Sequence, residues 1–237
     1  MPTTLRNLIT DQQEEFSFCR RHGYQAVVFD WDGVLVDSGV NYYRAYELVL
    51  RDAGIAVSPR EIYLREGQPT PEVLKAVCKE HGRVATAAEI AMWVERRRDY
   101  DIALGKRVFF PGAWELVQRL RRAGYKRGMV SGSSRKSVER ALTRDREGWF
   151  DVVITADDAV RPKPDPEPFL LAAKALQLSP ATCLVIENAP FGIRAARAAG
   201  CGVIGICTTL SQEDLQEANW VVQNHRELEI LLSGQPG

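Results

Sequence analysis

The stretch Ala26-Val27-Val28-Phe29-Asp30-Trp31-Asp32-Gly33 places four consecutive apolar residues directly before two carboxylates. A continuous apolar run, as opposed to an alternating one, is typical of a strand that is buried on both faces of a parallel sheet. In open α/β sheets, ligands bind beyond the carboxyl ends of the strands. This stretch therefore predicts a parallel sheet and also the place of a functional site within it.

Further short apolar runs have the same continuous character, and segments of helical periodicity separate them. The predicted strands are Arg127–Val130, Val152–Ile154, Leu184–Ile186, Val203–Ile206 and an edge strand at Trp220–Val222, with predicted helices that include Trp114–Ala123, Pro166–Leu176 and Gly192–Ala199. Alternation of strands and helices is typical of an α/β, doubly wound parallel sheet of the Rossmann-like kind.

The segment 40–108 interrupts this alternation. Its apolar residues recur at helical spacing, for example at Tyr42, Tyr46 and Val49, and it contains no clear strand. We therefore predict an inserted α-helical domain at 40–108, a core domain formed by 24–39 and 109–237, and an N-terminal helical arm at 1–23.

The composition limits the class of partner and the compartment. The 237 residues include 31 Lys+Arg and 31 Asp+Glu, and this balance gives no indication of nucleic acid or of an anionic membrane as a partner. Five scattered cysteines, without paired close spacing, favour a reducing compartment. We expect a cytoplasmic protein that binds neither nucleic acid nor membrane.

Polar residues also follow the other predicted strands, at the edge where Asp30 and Asp32 lie. They are Ser131 and Gly132 after the second strand, Lys163 in Arg161-Pro162-Lys163-Pro164 after the third, and Glu187 with Asn188 after the fourth.

These residue types are the ones that phosphoryl transfer requires. A carboxylate such as Asp30 can accept a phosphoryl group when the repulsion between the two anions is neutralised. Mg²⁺ prefers oxygen ligands, which Asp30 and the pair Glu187-Asn188 can supply, and Lys163 adds positive charge. Ser131 and the amides after it would hold phosphate oxygens where the loop enters a helix.

The run from Asp30 to Ser38 matches Asp-x-Asp-Gly-Val-Leu-x-Asp-Ser at every fixed position, and the other three motifs follow in order. With these motifs, residues 25–232 resemble the haloacid dehalogenase superfamily. The resemblance is to its β-phosphoglucomutase and phosphoglycolate phosphatase-like branch, in which a helical cap follows the first strand. It implies that Asp30 is the nucleophile, and that Asp32 first protonates the leaving oxygen and then activates water.

The same resemblance implies the other roles. The backbone carbonyl of Asp32 would also bind Mg²⁺, Ser131 and Lys163 would hold the phosphoryl group, and Glu187 and Asn188 would stand at the metal-binding motif. In that motif this branch commonly has two adjacent acids, whereas Asn188 is an amide. One negative charge fewer should weaken Mg²⁺ binding, and which of these two residues binds the metal directly stays open.

The cap is expected to exclude water and to shape specificity through the loop 65–70, with Arg65 and Gln68 as candidates. Mutase relatives often carry a histidine near the position of Tyr42 and an arginine near that of Thr70, so net hydrolysis is favoured over a mutase. The run Arg96-Arg97-Arg98 is interpreted as a solvated helix face.

These observations predict a phosphoric monoester hydrolase: a Mg²⁺-dependent phosphatase that acts through an aspartyl phosphate. Its substrate would be a small phosphorylated metabolite of the sugar phosphate or phosphoglycolate type. Two alternatives remain, namely a β-phosphoglucomutase-like phosphomutase and a non-catalytic regulatory protein with a degenerate metal site. The sequence determines neither the specific substrate nor the oligomeric state.

Overall fold

The computed structural model of the protein describes residues 15–105, 108–142 and 148–234. Eight strands lie within these ranges. They are β1 (Ala26–Asp30), β2 (Val36–Asp37), β3 (Val108–Phe109), β4 (Lys126–Val130), β5 (Val152–Ile154), β6 (Cys183–Glu187), β7 (Gly202–Ile206) and β8 (Trp220–Val222).

Helices connect the strands and fill the segment between β2 and β3. They are α1 (Ser17–Arg21), α2 (Gly39–Asp52), α3 (Pro59–Tyr63), α4 (Thr70–Glu80), α5 (Ala87–Ala103), α6 (Ala113–Arg122), α7 (Arg135–Ala141), α8 (Glu167–Leu176), α9 (Pro190–Ala198) and α10 (His225–Ser233), with short 3₁₀ turns at Pro180–Thr182 and Glu213–Leu215.

Six of the strands form one parallel sheet in the order β5-β4-β1-β6-β7-β8. The predicted doubly wound α/β fold is confirmed, and every predicted strand is present within one residue at each end. Because β1 lies between β4 and β6, the carboxyl ends of these three strands meet at one place. The antiparallel pair of β2 and β3 was not predicted, since two residues per strand are too few to display a period.

Each strand of the sheet divides its side chains between two apolar clusters. Val27 and Phe29 of β1 belong to one cluster with α6 and α10, whereas Ala26 and Val28 belong to the other with α8 and α9. Successive side chains of a strand point to opposite faces, so a strand that is covered on both faces must be apolar at every position. The continuous runs in the sequence have this physical cause.

The helices α2 to α5 enclose a third apolar cluster, which contains Tyr46, Leu50, Leu74 and Trp93. The helical character predicted for this segment is confirmed. Its separation from the sheet as an independent domain remains a prediction. We use the word cap for α2 to α5 and their loops.

The N-terminal arm is described from residue 15 onward. Here α1 buries Phe18 and Cys19 in the cluster beneath α10, and the Ser17 hydroxyl donates a hydrogen bond of 2.9 Å to the Ser233 carbonyl. Residues 1–14 of the arm predicted at 1–23 lie outside the described residues. In the described ranges no helix combines the length and apolarity that a membrane crossing requires.

Candidate active site

The predicted site residues converge at the carboxyl ends of β1, β4 and β6. A cavity of about 950 Å³ lies between this edge of the sheet and the cap. Its core side includes Asp30, Asp32, Gly132, Lys163 and Glu187. Ser131 and Asn188 are buried beside these residues, so the site residues predicted in the core stand in one place.

Lys163 is the electrostatic centre of the site. Its Nζ donates to Asp30 Oδ1 at 2.6 Å and to Glu187 Oε1 at 2.7 Å, and all three residues are buried. Burial raises the pKa of Asp30, and the Lys163 ammonium limits that rise. Burial alone would lower the pKa of Lys163, but the carboxylates of Asp30 and Glu187 raise it. Lys163 therefore stays charged and favours the ionised form of Asp30.

Glu187 is folded back onto its own turn. Its Oε2 accepts hydrogen bonds from the backbone amides of Asn188 at 2.8 Å and Ala189 at 2.9 Å, while Oε1 holds Lys163. Gly192 makes room for this arrangement, since a Cβ there would lie 1.6 Å from Glu187 Oε1. With both oxygens engaged, Glu187 is arranged to position Lys163.

Asp32 is held by a residue that sequence reasoning did not select. The Ser133 hydroxyl donates to Asp32 Oδ2 at 2.9 Å, and the Ser133 amide donates to Ser131 Oγ at 3.0 Å. Ser133 stands in the polar run after the second predicted strand, so the strand-end rule that selected Ser131 also pointed to it. This bond orients the Asp32 carboxylate toward the cavity, which Asp32 lines.

Asn188 joins the core to the cap. Its Nδ2 donates to Glu66 Oε2 at 3.0 Å and to Thr209 Oγ1 at 3.2 Å, whereas its Oδ1 is buried without a hydrogen-bond partner. Gly33, at φ +76°, accommodates the amide, because a Cβ there would lie 2.1 Å from Asn188 Nδ2. Any side chain at this glycine would displace Asn188.

Glu66 is a second residue that the sequence analysis did not select, although it lies in the predicted cap loop. It is 5% exposed, and its Oε1 has no hydrogen-bond partner. Burial raises its pKa well above the ordinary value, and the charges of Asp30, Asp32 and Glu187 raise it further. Among the causes of that shift, only the hydrogen bond from Asn188 favours the ionised form.

The donor atoms at this site fit a hard cation. Within the described ranges, no three His, Cys, Asp or Glu side chains are spaced as a ready-made metal site. The amide oxygen of Asn188 falls outside that set of ligand types, and it is buried without a partner, as is Glu66 Oε1. Oxygen atoms of this kind, together with the Asp30 carboxylate, suit Mg²⁺ and do not suit a soft metal.

On the cap side, Gln68 and Thr70 line the cavity. The predicted specificity role of Gln68 requires this position. Arg65 does not line it, because its guanidinium is engaged by the Glu80 carboxylate and the Glu61 carbonyl outside the cavity. The structure thus separates the two cap candidates, and the arrangement does not support a specificity role for Arg65.

Arg97 is the third residue that was missed. Its guanidinium carbon lies 5.3 Å from the ring centre of Tyr42 and 4.9 Å from that of Tyr46, and it lines the cavity. The solvated-face interpretation is wrong for Arg97. The helical period could have indicated that Arg97 faces inward, because Arg97 follows the buried Trp93 by four residues and the buried Ile90 by seven, on one face of α5.

Residues 24–200 match the sequence profile of the haloacid dehalogenase-like hydrolases. The chain belongs to this family. Among the relatives of this hydrolase, the validoxylamine A 7'-phosphate phosphatase of Streptomyces hygroscopicus subsp. limoneus is 32% identical over 86% of the chain and 96% of its own length. Hexitol phosphatase A of Escherichia coli is 31% identical over 88% of the chain and 94% of its own length.

A solved structure of β-phosphoglucomutase from Clostridium difficile superposes on this hydrolase with a TM-score of 0.74. It is 26% identical and covers 86% of the chain and 93% of its own length. The resemblance inferred from the motifs is confirmed, as is the prediction that the chain is a phosphoric monoester hydrolase, the class in which its named phosphatase relatives act.

Proposed function

We propose that this hydrolase is a Mg²⁺-dependent phosphatase of a small phosphorylated metabolite of the sugar phosphate type. The observation that carries the proposal is the buried contact of Asp30 with Lys163 at the carboxyl end of β1, where Asp32 lines the same cavity. Relatives named as phosphatases of validoxylamine A 7'-phosphate and of hexitol phosphates support this class of substrate. Five free thiols support a reducing, cytoplasmic location.

In the proposed reaction, a carboxylate oxygen of Asp30 attacks phosphorus, and the bond from phosphorus to the ester oxygen breaks. Asp32, oriented by Ser133, gives its proton to that leaving oxygen, which leaves an aspartyl phosphate on Asp30. Asp32 then takes a proton from water as the water oxygen attacks phosphorus, and the bond from phosphorus to the Asp30 oxygen breaks. Inorganic phosphate leaves, and Asp30 and the protonated Asp32 are restored.

The remaining residues are proposed to bind and orient. The Ser131 hydroxyl and the amide of Gly132 would hold phosphoryl oxygens together with Lys163. Asp30, the Asp32 carbonyl and Asn188 Oδ1 would hold Mg²⁺, which when bound neutralises charge between carboxylate and phosphate.

The cap supplies the surroundings of the leaving group. Gln68 and Arg97 line the cavity on the side away from Asp30's strand, and the Arg97 Nε is buried without a hydrogen-bond partner. We propose that these two side chains contact oxygen atoms of the leaving group, because an unpaired buried donor is satisfied by an acceptor on the ligand.

The test is phosphate release from a panel of sugar, hexitol and glycolate phosphates with Mg²⁺, for the parent protein and Asp30→Asn. We expect this substitution to lower kcat/KM by at least about 10³-fold, because the amide is not a phosphoryl acceptor. Asp99→Asn, on the exposed surface of α5, is the matched control and should retain activity. Turnover that survives Asp30→Asn would contradict the proposal.

A phosphomutase is the second candidate, and the structural similarity to a β-phosphoglucomutase is the observation that favours testing it. The same panel separates the two activities. A mutase would form an isomeric sugar phosphate in the presence of a sugar bisphosphate, whereas the proposed phosphatase releases inorganic phosphate without one.

A further inference from the structure

The cap touches the core at the loop between α3 and α4. Gly67, at φ +91°, lies against the core residue Lys163, since a Cβ on this glycine would be 3.3 Å from Lys163 Cδ. A Cβ on Gly132, a second core residue, would be 3.7 Å from Gly67 Cα. This close approach carries the neighbouring residue, Glu66, into the edge of the sheet domain.

At that edge, Glu66 brings one oxygen atom more than the protein can satisfy. Its Oε2 accepts the hydrogen bond from Asn188 Nδ2 at 3.0 Å, but its Oε1 is buried without a partner. The Oδ1 of Asn188 is also buried without a partner. Two unsatisfied acceptors beside one hydrogen bond are costly in a protein interior, and a cation would satisfy both of them.

The charges around Glu66 lead to the same conclusion. Asp30, Asp32 and Glu187 act on the Glu66 carboxylate, and all four residues line the cavity. Lys163 is already shared between Asp30 and Glu187. A carboxylate brought to this place therefore needs positive charge that the hydrogen-bonded groups there do not provide.

We propose that Glu66 is a carboxylate that the cap supplies to the Mg²⁺ site. It replaces the negative charge that Asn188 lacks, so that metal binding and closure of the cap are coupled. The inference rests on the Mg²⁺ dependence of the proposed function. It assigns to the metal a residue that lies 122 positions from Asn188 in the chain and outside the four sequence motifs.

The experiment is a calorimetric Mg²⁺ titration of the full chain without substrate, for the parent protein, Glu66→Gln and Glu72→Gln. We expect Glu66→Gln to weaken Mg²⁺ binding by at least about tenfold, a loss that even groups supporting a ligand produce. Glu72→Gln is the matched control, because Glu72 lies on the exposed surface of α4 and pairs with Lys75 at 3.0 Å. It should stay within about twofold of the parent.

A second measurement tests the coupling to cap closure. Mg²⁺ should slow amide hydrogen exchange of the loop 65–70 in the parent and in Glu72→Gln, and should have little effect on that loop in Glu66→Gln. Thermal unfolding without metal checks that each variant is folded. The proposal is overturned if Glu66→Gln binds Mg²⁺ as tightly as the parent, or if Mg²⁺ protects the loop 65–70 equally in the parent and in Glu66→Gln. In either case Glu66 would only accept the hydrogen bond from Asn188 as a protonated carboxyl group.

These measurements involve no turnover, so they are separate from the test of the phosphatase. Loss of Mg²⁺ affinity in Glu66→Gln, in a protein that releases no phosphate from any substrate, would refute the proposed function and keep the metal role of Glu66. Phosphate release that depends on Asp30, with unchanged affinity in Glu66→Gln, would keep the phosphatase and refute the inference.

Discussion

Lys163 forms ion pairs with two buried carboxylates, Asp30 at 2.6 Å and Glu187 at 2.7 Å. Removal of one partner from a buried ion pair leaves an uncompensated charge, which costs more than the pair contributes. The same contact opposes the rise that burial causes in the pKa of Asp30, and so favours the ionised form that the proposed reaction needs. We therefore expect both the stability of the protein and its proposed activity to depend on the Lys163 side chain.

We expect Lys163→Met to lower kcat/KM by about 10²- to 10³-fold, the loss typical of one preorganised electrostatic group. It should also lower the free energy of unfolding by about 3–5 kcal/mol, because two buried carboxylates lose their cation. Phosphate release and urea unfolding measure the two effects. Lys174→Met, on the exposed side of α8, is the control.

The added substitution Glu187→Gln should recover part of the stability of Lys163→Met and none of its activity. The glutamine amide carries no charge that could be left unpaired, whereas the substrate would still lack the lysine that we propose binds its phosphoryl group. A Lys163→Met variant as stable as the parent would contradict this account of the site.

At the scale of the element, the short helix α3 is held at its start by a capping box. The Ser58 hydroxyl accepts from the Glu61 amide at 3.3 Å, and the Glu61 carboxylate accepts from the Ser58 amide at 2.8 Å. The helix ends at Tyr63, directly before the loop that carries Glu66. The capping box thus stabilises the helix that leads into that loop.

Ser58→Ala should lower the free energy of unfolding by about 1 kcal/mol, the usual loss for a helix N-cap. Urea unfolding measures it. Ser134→Ala is the matched control, since Ser134 precedes α7 without a capping hydrogen bond from its side chain. Equal losses in the two variants would show that the hydroxyl bond of Ser58 is not what stabilises α3.

The same box predicts a pH dependence. Hydrogen bonds from the Ser58 backbone and from His81 lower the pKa of Glu61 to about 2. The stability that Glu61 adds is therefore present above its ordinary pKa of about 4.3 and is lost as the pH falls toward 2. The difference in unfolding free energy between the parent and Glu61→Gln should shrink from pH 6 to pH 3; a difference that grows would contradict the assignment.

At the scale of the whole molecule, apolar residues form two clusters on the faces of the sheet and a third within the cap. The loop that contains Gly67 contacts the core beside Lys163. If the cap is a separate domain, loss of packing in its cluster should remain local.

Leu74 and Leu184 are a matched pair for this question, because both are leucines with no exposed surface. We expect each change to alanine to cost about 2–5 kcal/mol. Leu74→Ala should speed hydrogen exchange only in α2 to α5, whereas Leu184→Ala should speed it throughout the sheet. If both substitutions speed hydrogen exchange in the cap and in the sheet alike, the cap and the core unfold as one unit.

Sequence pattern alone was enough for the sheet and for most of the site. Buried strands must be apolar at every position, and polar residues directly after them must lie at one edge, so Asp30, Lys163 and Asn188 could be assigned to a common place. Glu66 and Arg97 could not be assigned in this way, because no strand end or motif marks them. Hydrophobic periodicity reports which face of an element is buried, and only the folded chain reveals which distant polar groups meet there. The meeting of Glu66 with Asn188, across 122 residues, is therefore a property of the tertiary structure.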